Sequence, residues 1–283
     1  MPLVPTDELI AEAQQSAHGV AAFNVITLEH AEAVAAGAER AGAPAILQIS
    51  ENAVRFHDGR LGPIAAAAGA VARGSDARLS LHLDHVRDPG LFRAALDEGF
   101  GSVMFDASQL DYAANVAATA DAVRQGHARG VWVEAELGQV GGKEGEPALD
   151  AHAPGARTEP AEAADYVHRT GVDGLAVAVG SSHAMTARTA ELDHELIAAL
   201  RKSVPVPLVL HGSSGVPDTE IVRAVAAGML KINVGTALNT AFTGAVREHL
   251  TAHPETMDSR KYLAPGREAM AETVADFLRV IAG

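Results

Sequence analysis

Apolar residues along this chain fall into two alternating kinds of run. Short, nearly unbroken stretches of apolar residues cover 20–25, 45–50, 79–85, 102–108, 131–137, 174–180, 207–213 and 230–236. Continuous runs of that length suit strands buried on both faces. Ala-rich stretches with helical spacing follow them, for example 28–41, 89–98, 112–128, 193–203 and 217–227. Eight β/α repeats in 283 residues predict an α/β fold, a single (β/α)8 barrel domain over 1–283. Residues 265–283 read as an extra C-terminal helix. The rival is an open doubly wound sheet. It wants a glycine-rich turn after the first strand, and here that turn is Asn24-Val25-Ile26-Thr27. One segment breaks the rhythm. Residues 138–160, polar and glycine-containing, follow the fifth strand and are expected to form a mobile loop where the strands end.

Composition narrows the chemistry. With no cysteine, disulfides and thiolate ligands are excluded, and any metal must be held by nitrogen and oxygen. A net charge of −14 argues against nucleic acid as a partner. An anionic ligand would then need backbone N–H groups and a few local cations. The N-terminus reads without a secretory signal, and the apolar run 64–72 is too short to span a bilayer. A cytoplasmic protein that does not enter the membrane is expected.

In this fold, reacting groups come from the C-terminal ends of strands. The third strand ends in His82-Leu83-Asp84-His85, and the fourth ends near Asp106. The fifth carries Glu134 and Glu136, and the sixth is followed by Ser181-Ser182-His183. The seventh ends in His211-Gly212-Ser213-Ser214-Gly215, and the eighth carries Asn233, Gly235 and Thr236. His85, His183 and His211 thus reach one end of the barrel from three strands, whereas His18, His127, His168 and His253 fall on helices or linkers. Three imidazoles with an open fourth position make a catalytic zinc site. Asp84 adjoins His85, so the two should point to opposite sides of the pleat unless the strand end twists. Asp84 is either a partner that orients a histidine or a general acid/base. Asp106 and Glu136 either bind metal or bridge charges across the mouth. The glycine runs after strands seven and eight let backbone N–H groups approach an anion, and Pro217 suits a first helical turn.

Together, His-Leu-Asp-His, Val-Glu-Ala-Glu-Leu-Gly with Gly141-Gly142, Gly-Ser-Ser-His, His-Gly-Ser-Ser-Gly and Lys-Ile-Asn-Val-Gly-Thr resemble the class II fructose/tagatose-bisphosphate aldolases. Ala22-Phe23-Asn24-Val25 and Gln48-Ile49-Ser50 are similar too, and the resemblance runs from about residue 3 to the C-terminal helix. It implies a lyase of carbohydrate metabolism and glycolysis, a homo-oligomer (dimer or tetramer) acting on a small phosphorylated sugar. Zinc would sit on His85, His183 and His211, with Asp106 and Glu136 as alternative ligands at a second metal position, and a monovalent cation nearby. Asp84 would act at the hydroxyl of the cleaved bond, and Glu144 would be the proton-abstracting carboxylate. Gly180, Gly212, Ser214, Asn233, Gly235 and Thr236 would line the phosphate and triose end, with Asn24 and Ser50 touching substrate. Arg260 and Lys261, then Arg55, are candidates for a far phosphate.

Three positions depart from the family pattern. Ala184 stands where glycine is usual, Ser213 where glycine or alanine is, and Gly235 where the fructose type has aspartate and the tagatose type alanine. The substrate thus stays open among tagatose-1,6-bisphosphate, fructose-1,6-bisphosphate and a related phosphoketose. Three rivals are weighed. A Schiff-base aldolase needs a buried lysine at a strand end. The lysines are Lys143, Lys202, Lys231 and Lys261, and Lys231 is expected at the wrong end of strand eight. The others are a zinc hydrolase on the same barrel and a non-catalytic phosphosugar binder.

Overall fold

A computed structural model describes residues 3–138, 140 and 156–282. Eight parallel strands close on themselves in chain order. They are β1 (Val20–Asn24), β2 (Ala45–Ser50), β3 (Leu79–Val86), β4 (Ser102–Phe105), β5 (Trp132–Leu137), β6 (Gly174–Val177), β7 (Leu208–Leu210) and β8 (Met229–Val234). β8 pairs back to β1 through Val20–Lys231 and Ala22–Asn233. The helices are α1 (Thr6–Ser16), α2 (Leu28–Ala41), α3 (Glu51–Phe56), α4 (Leu61–Gly74), α5 (Pro89–Asp97) and α6 (Tyr112–His127). They continue as α7 (Pro160–Thr170), α8 (His194–Ser203), α9 (Asp218–Ala227), α10 (Thr236–Ala252) and α11 (Ser259–Ala282). The (β/α)8 barrel with a C-terminal helix is therefore as expected.

Strands β4, β6 and β7 stop before their apolar runs do. After β6 and β7 the chain enters left-handed turns at Gly180 (φ 123°) and Gly212 (φ 70°), which take it off the ladder. Helix starts are capped by side chains. Ser50, Asp88, Asp111 and Asp193 each accept a backbone N–H of the first turn, worth about 1 kcal/mol apiece. The C-terminal helix begins six residues before the expected 265, at Ser259, and carries Pro265 within it.

The barrel interior changes character along its axis. At the N-terminal end Val20, Ala22, Ile46 and Trp132 pack with Leu9 and Ile10 of α1. Each large apolar side chain buried there contributes about 1.5–3 kcal/mol. Thr6 Oγ1 shares hydrogen bonds of 2.8 Å with Ser80 and Ser102 at the same end. Towards the other end the buried interior becomes polar, with Gln48, His82, Asp84, Glu134, Glu136, His211, Lys231 and Asn233. The two-residue strand period accounts for this. His82 and Asp84, Glu134 and Glu136, and Lys231 and Asn233 share the inner face, while Leu81, Leu83, Val133, Ala135, Ile232 and Val234 pack into the cluster outside.

Candidate active site

The end of β3 does not continue the pleat. The β3–β4 register slips between Leu83 and Val86, and His85 is left-handed at φ 50°. That conformation costs a non-glycine residue about 1–2 kcal/mol. It brings Asp84 and His85 to the same mouth, so Asp84 Oδ2 lies 3.7 Å from His85 Nε2. The other ring nitrogen of His85, Nδ1, donates to Asp106 Oδ2 at 3.0 Å. Asp106 is fixed in turn by the Ser108 amide and hydroxyl. Asp106 thus backs His85, the kind of outer carboxylate that orients a ligating imidazole.

His183 comes from the turn after β6 and His211 from the residue after β7. The three ring centroids are 4.8 to 5.4 Å apart. His211 Nδ1 is 2.9 Å from Glu136 Oε2. One ligand atom from each of His85, Glu136, His183 and His211 falls within 4.8 Å of the others. Asp84 Oδ2 accepts from Gln48 Nε2 at 3.0 Å, and Asp84 Oδ1 is buried without a hydrogen-bond partner. His82, Asp84 and Glu134 form a second group below. Lys231 Nζ already enters it, 2.8 Å from Glu134 and 3.4 Å from His82. Lys231 is fully buried midway up the barrel, not at its far end as its place in the sequence suggested.

Burial alone would push Asp84 up, but the imidazoles of His85, His82 and His211 hold it far below the usual carboxylate range. Burial likewise opposes charge on Glu134, which Lys231 and His211 pull down to about 2. Burial opposes charge on His211 too, yet its hydrogen bonds to Glu134 and Glu136 carry it up to about 9. With His211 neutral, as a ligating imidazole is, four carboxylates, Asp84, Asp106, Glu134 and Glu136, face two side-chain cations, Lys231 and Arg87. The difference, four minus two, leaves two negative charges. A divalent cation held by the histidines would balance them.

The wall between β7 and β8 is shaped by small residues. Gly212 lies under the Ser182 carbonyl, which a side chain there would strike. A Cβ at Gly235 would come within 2.8 Å of Asn24 Nδ2, and Asn24 Oδ1 accepts from Gln48 Nε2 at 2.8 Å. Two N–H groups at the start of α10, those of Gly235 and Ala237, donate to Ser214 Oγ. The Ser214 proton is therefore available to the cavity that the residue lines. Both amide atoms of Asn233 are buried without a hydrogen-bond partner on the same lining. Ala184 is left-handed at φ 58°, the reason glycine is the easier residue after His183.

The cavity brings together Asn24, Ser50, Asp84, His85, His183, Gly212, Ser214, Asn233, Gly235 and Thr236, with His211 and Glu136 buried against it. Gly180 is off the lining, turned against the Glu191 carbonyl. Arg260 is also off it, exposed and held by Asp258, and Lys261 does not reach it. Arg55 does line it, as does Arg87, which was not anticipated. Glu144 and most of 138–160 lie outside the described residues. The returning foot is described: Thr158 donates to the Leu137 carbonyl and accepts from the Ala178 amide. Gln48, Glu134 and Lys231 were not assigned roles from sequence. The available signal was parity, since Glu134 lies two residues from Glu136 and Lys231 two from Asn233.

Residues 4–283 match a family model described as fructose-bisphosphate aldolase class-II. The chain is 39% identical over 284 positions to a fructose-bisphosphate aldolase of Geobacillus stearothermophilus, covering 99% of this chain and 96% of that one. Among solved structures, the YdjI aldolase of Escherichia coli K12 superposes with a TM-score of 0.83 at 29% identity, over 99% of this chain and 97% of that one. The fructose-bisphosphate aldolase of Campylobacter jejuni shares the fold with a TM-score of 0.81 at 22% identity, over 99% and 95%.

Proposed function

This chain belongs to the class II fructose-bisphosphate aldolase family, a family of metal-dependent lyases, and we propose that it reversibly cleaves a ketose bisphosphate into dihydroxyacetone phosphate and an aldehyde, with zinc on His85, His183 and His211. The observation that carries this reading is the convergence of three imidazoles and Glu136 beside a cavity that Asp84 also lines. The donor set fits a divalent cation, because all ligands are nitrogen or oxygen and the surrounding carboxylates exceed the cations by two. Such an ion supplies Lewis acidity towards a ketone oxygen.

The chain's own residues do the rest. Asp84, held by Gln48 at the cavity lining, takes the proton of the hydroxyl on the bond that breaks. In the synthetic direction Asp84 returns that proton to the aldehyde oxygen. Asn233 and Ser214 hold the triose phosphate, and Gly212 gives the phosphate room. Arg55 and Arg87 meet the far anionic group. Glu144 is assigned the carbon-bound proton on family resemblance, and Glu144→Gln should then slow exchange of that proton with solvent while zinc content stays constant. Asp106, expected as an alternative metal ligand, instead orients His85 in this proposal, since it bonds Nδ1 of that ring and lies outside the ligand group. A cytoplasmic homo-oligomer is part of it as well; among the described residues no helix is long and apolar enough to cross a membrane.

The test is to incubate the zinc-loaded protein with dihydroxyacetone phosphate and a panel of aldehydes and to identify products. Ketose 1-phosphates are expected, and their stereochemistry separates the fructose from the tagatose assignment. Zinc binding with no carbon–carbon bond formation for any aldehyde would leave a phosphosugar binder. Hydrolysis of a phosphate or ester would favour the hydrolase.

A further inference from the structure

Two of the three histidines rest on a carboxylate that itself rests on a cation. Behind His85 stand Asp106, at 3.0 Å, and then Arg87, at 3.6 Å, near the surface. Behind His211 stand Glu134, at 3.3 Å from Nε2, and then Lys231, at 2.8 Å, all fully buried. His211 is held from both sides, since its Nδ1 is 2.9 Å from Glu136, a member of the ligand group, whereas Glu134 is not.

We propose that Lys231, acting through Glu134, is a positioning residue that makes His211 present Nδ1 to the metal. An imidazole can offer either nitrogen, and which one it offers is decided by what the other nitrogen donates to. Glu134 Oε1 takes the Nε2 hydrogen of His211, and Lys231 occupies Glu134 Oε2. The lysine does two further things. It compensates a buried carboxylate that would otherwise be costly. It also fixes the carboxylate plane, because His82 Nε2 is 3.4 Å from the same ammonium and His82 Nδ1 is held by Ser102 at 2.7 Å. The chain of contacts therefore runs from Ser102, through His82, Lys231 and Glu134, to His211. The bland alternative is a buried ion pair that serves only the core of the barrel.

This inference rests on the zinc assignment above, so its test reads metal and ring geometry, not turnover. Removing both charges together avoids stranding one of them, and the double variants K231M/E134L and K231M/E134Q do so at similar volume. Zinc affinity is measured by competition with a chromophoric chelator, alongside thermal unfolding of the metal-free proteins. K231M/E134L, which has no acceptor for Nε2, should bind zinc about 10–100-fold more weakly than the parent. K231M/E134Q keeps an amide oxygen and should fall between the two. Parent-like zinc affinity in a folded variant, with only the unfolding temperature changed, overturns the proposal in favour of the bland alternative. A crystal structure of the zinc-loaded parent tests it without any variant. Zinc on Nδ1 with Glu134 on Nε2 supports it, and zinc on Nε2 overturns it. A parent that binds no zinc at the histidines refutes the zinc assignment itself, a result distinct from both.

Discussion

The two sides of the site are built from different materials. On the β3, β5 and β7 side the working groups are charged or ionisable side chains, each held by another side chain: Asp84 by Gln48, His85 by Asp106, His211 by Glu134 and Glu136. On the β7–β8 wall the working features are backbone shape and neutral polar groups: Gly212, Gly235, Ser214 and the unpartnered amide of Asn233. The first side should be sensitive to chemical identity at constant volume. The second should be sensitive to volume at constant charge. A dry, hydrogen-bonded interior makes an exchanged charge costly, whereas a wall formed by backbone tolerates no added atoms.

The sharpest break is removal of the metal. Chelation should abolish aldol cleavage, zinc or cobalt should restore it, and borohydride with substrate should trap no lysine adduct. A trapped adduct, or full turnover in metal-free protein, would mean that Lys231 or another amine carries the chemistry. The expectation that it does not rests on Lys231 being engaged with Glu134 beneath the site.

Next in size is Asp84→Asn, a change of identity at constant shape on the first side. It should lower kcat by about 10²–10⁴-fold with zinc content unchanged. Loss of zinc with it would make Asp84 a support for His82 or His85 instead of the group that moves the proton.

On the wall, Gly212→Ala adds one methyl group at φ 70° beneath the Ser182 carbonyl. Strain of about 1–3 kcal/mol is expected there, with KM for the phosphorylated substrate raised and zinc affinity as in the parent. Equal loss of zinc affinity in this variant would erase the distinction between the two sides.

The smallest effect is a gain. Ala184→Gly removes a Cβ from a left-handed residue at φ 58°. Relief of about 1 kcal/mol should raise Tm by roughly 2–4 °C, the scale for chains of this size. An unchanged Tm would show that the turn after His183 carries no strain.

Much of this was legible along the chain because it depends on local period. The α/β alternation, the strands buried on both faces and the helix 28–41 follow from runs of a few residues. Strand-end position singled out His85, His183 and His211, and the period of two, unused for them in the sequence reading, suffices to put His82 with Asp84, Glu134 with Glu136 and Lys231 with Asn233 on common faces. What the sequence by itself left open depends on contacts between distant residues or on single backbone angles. No pattern in residues 79–86 announces that β3 slips its register and turns left-handed at His85, which lets neighbours share one mouth. Nor does the chain show that Lys231 meets Glu134, 97 residues away, or that His211 is clasped by Glu136, 75 residues away. Arg55 and Arg87 are placed at the cavity, and Arg260 away from it, by the closing of the barrel. Periodicity determines which way a side chain faces. Only closure of the barrel determines which side chain it faces there, because burial makes an unpaired charge too costly and so selects the partners.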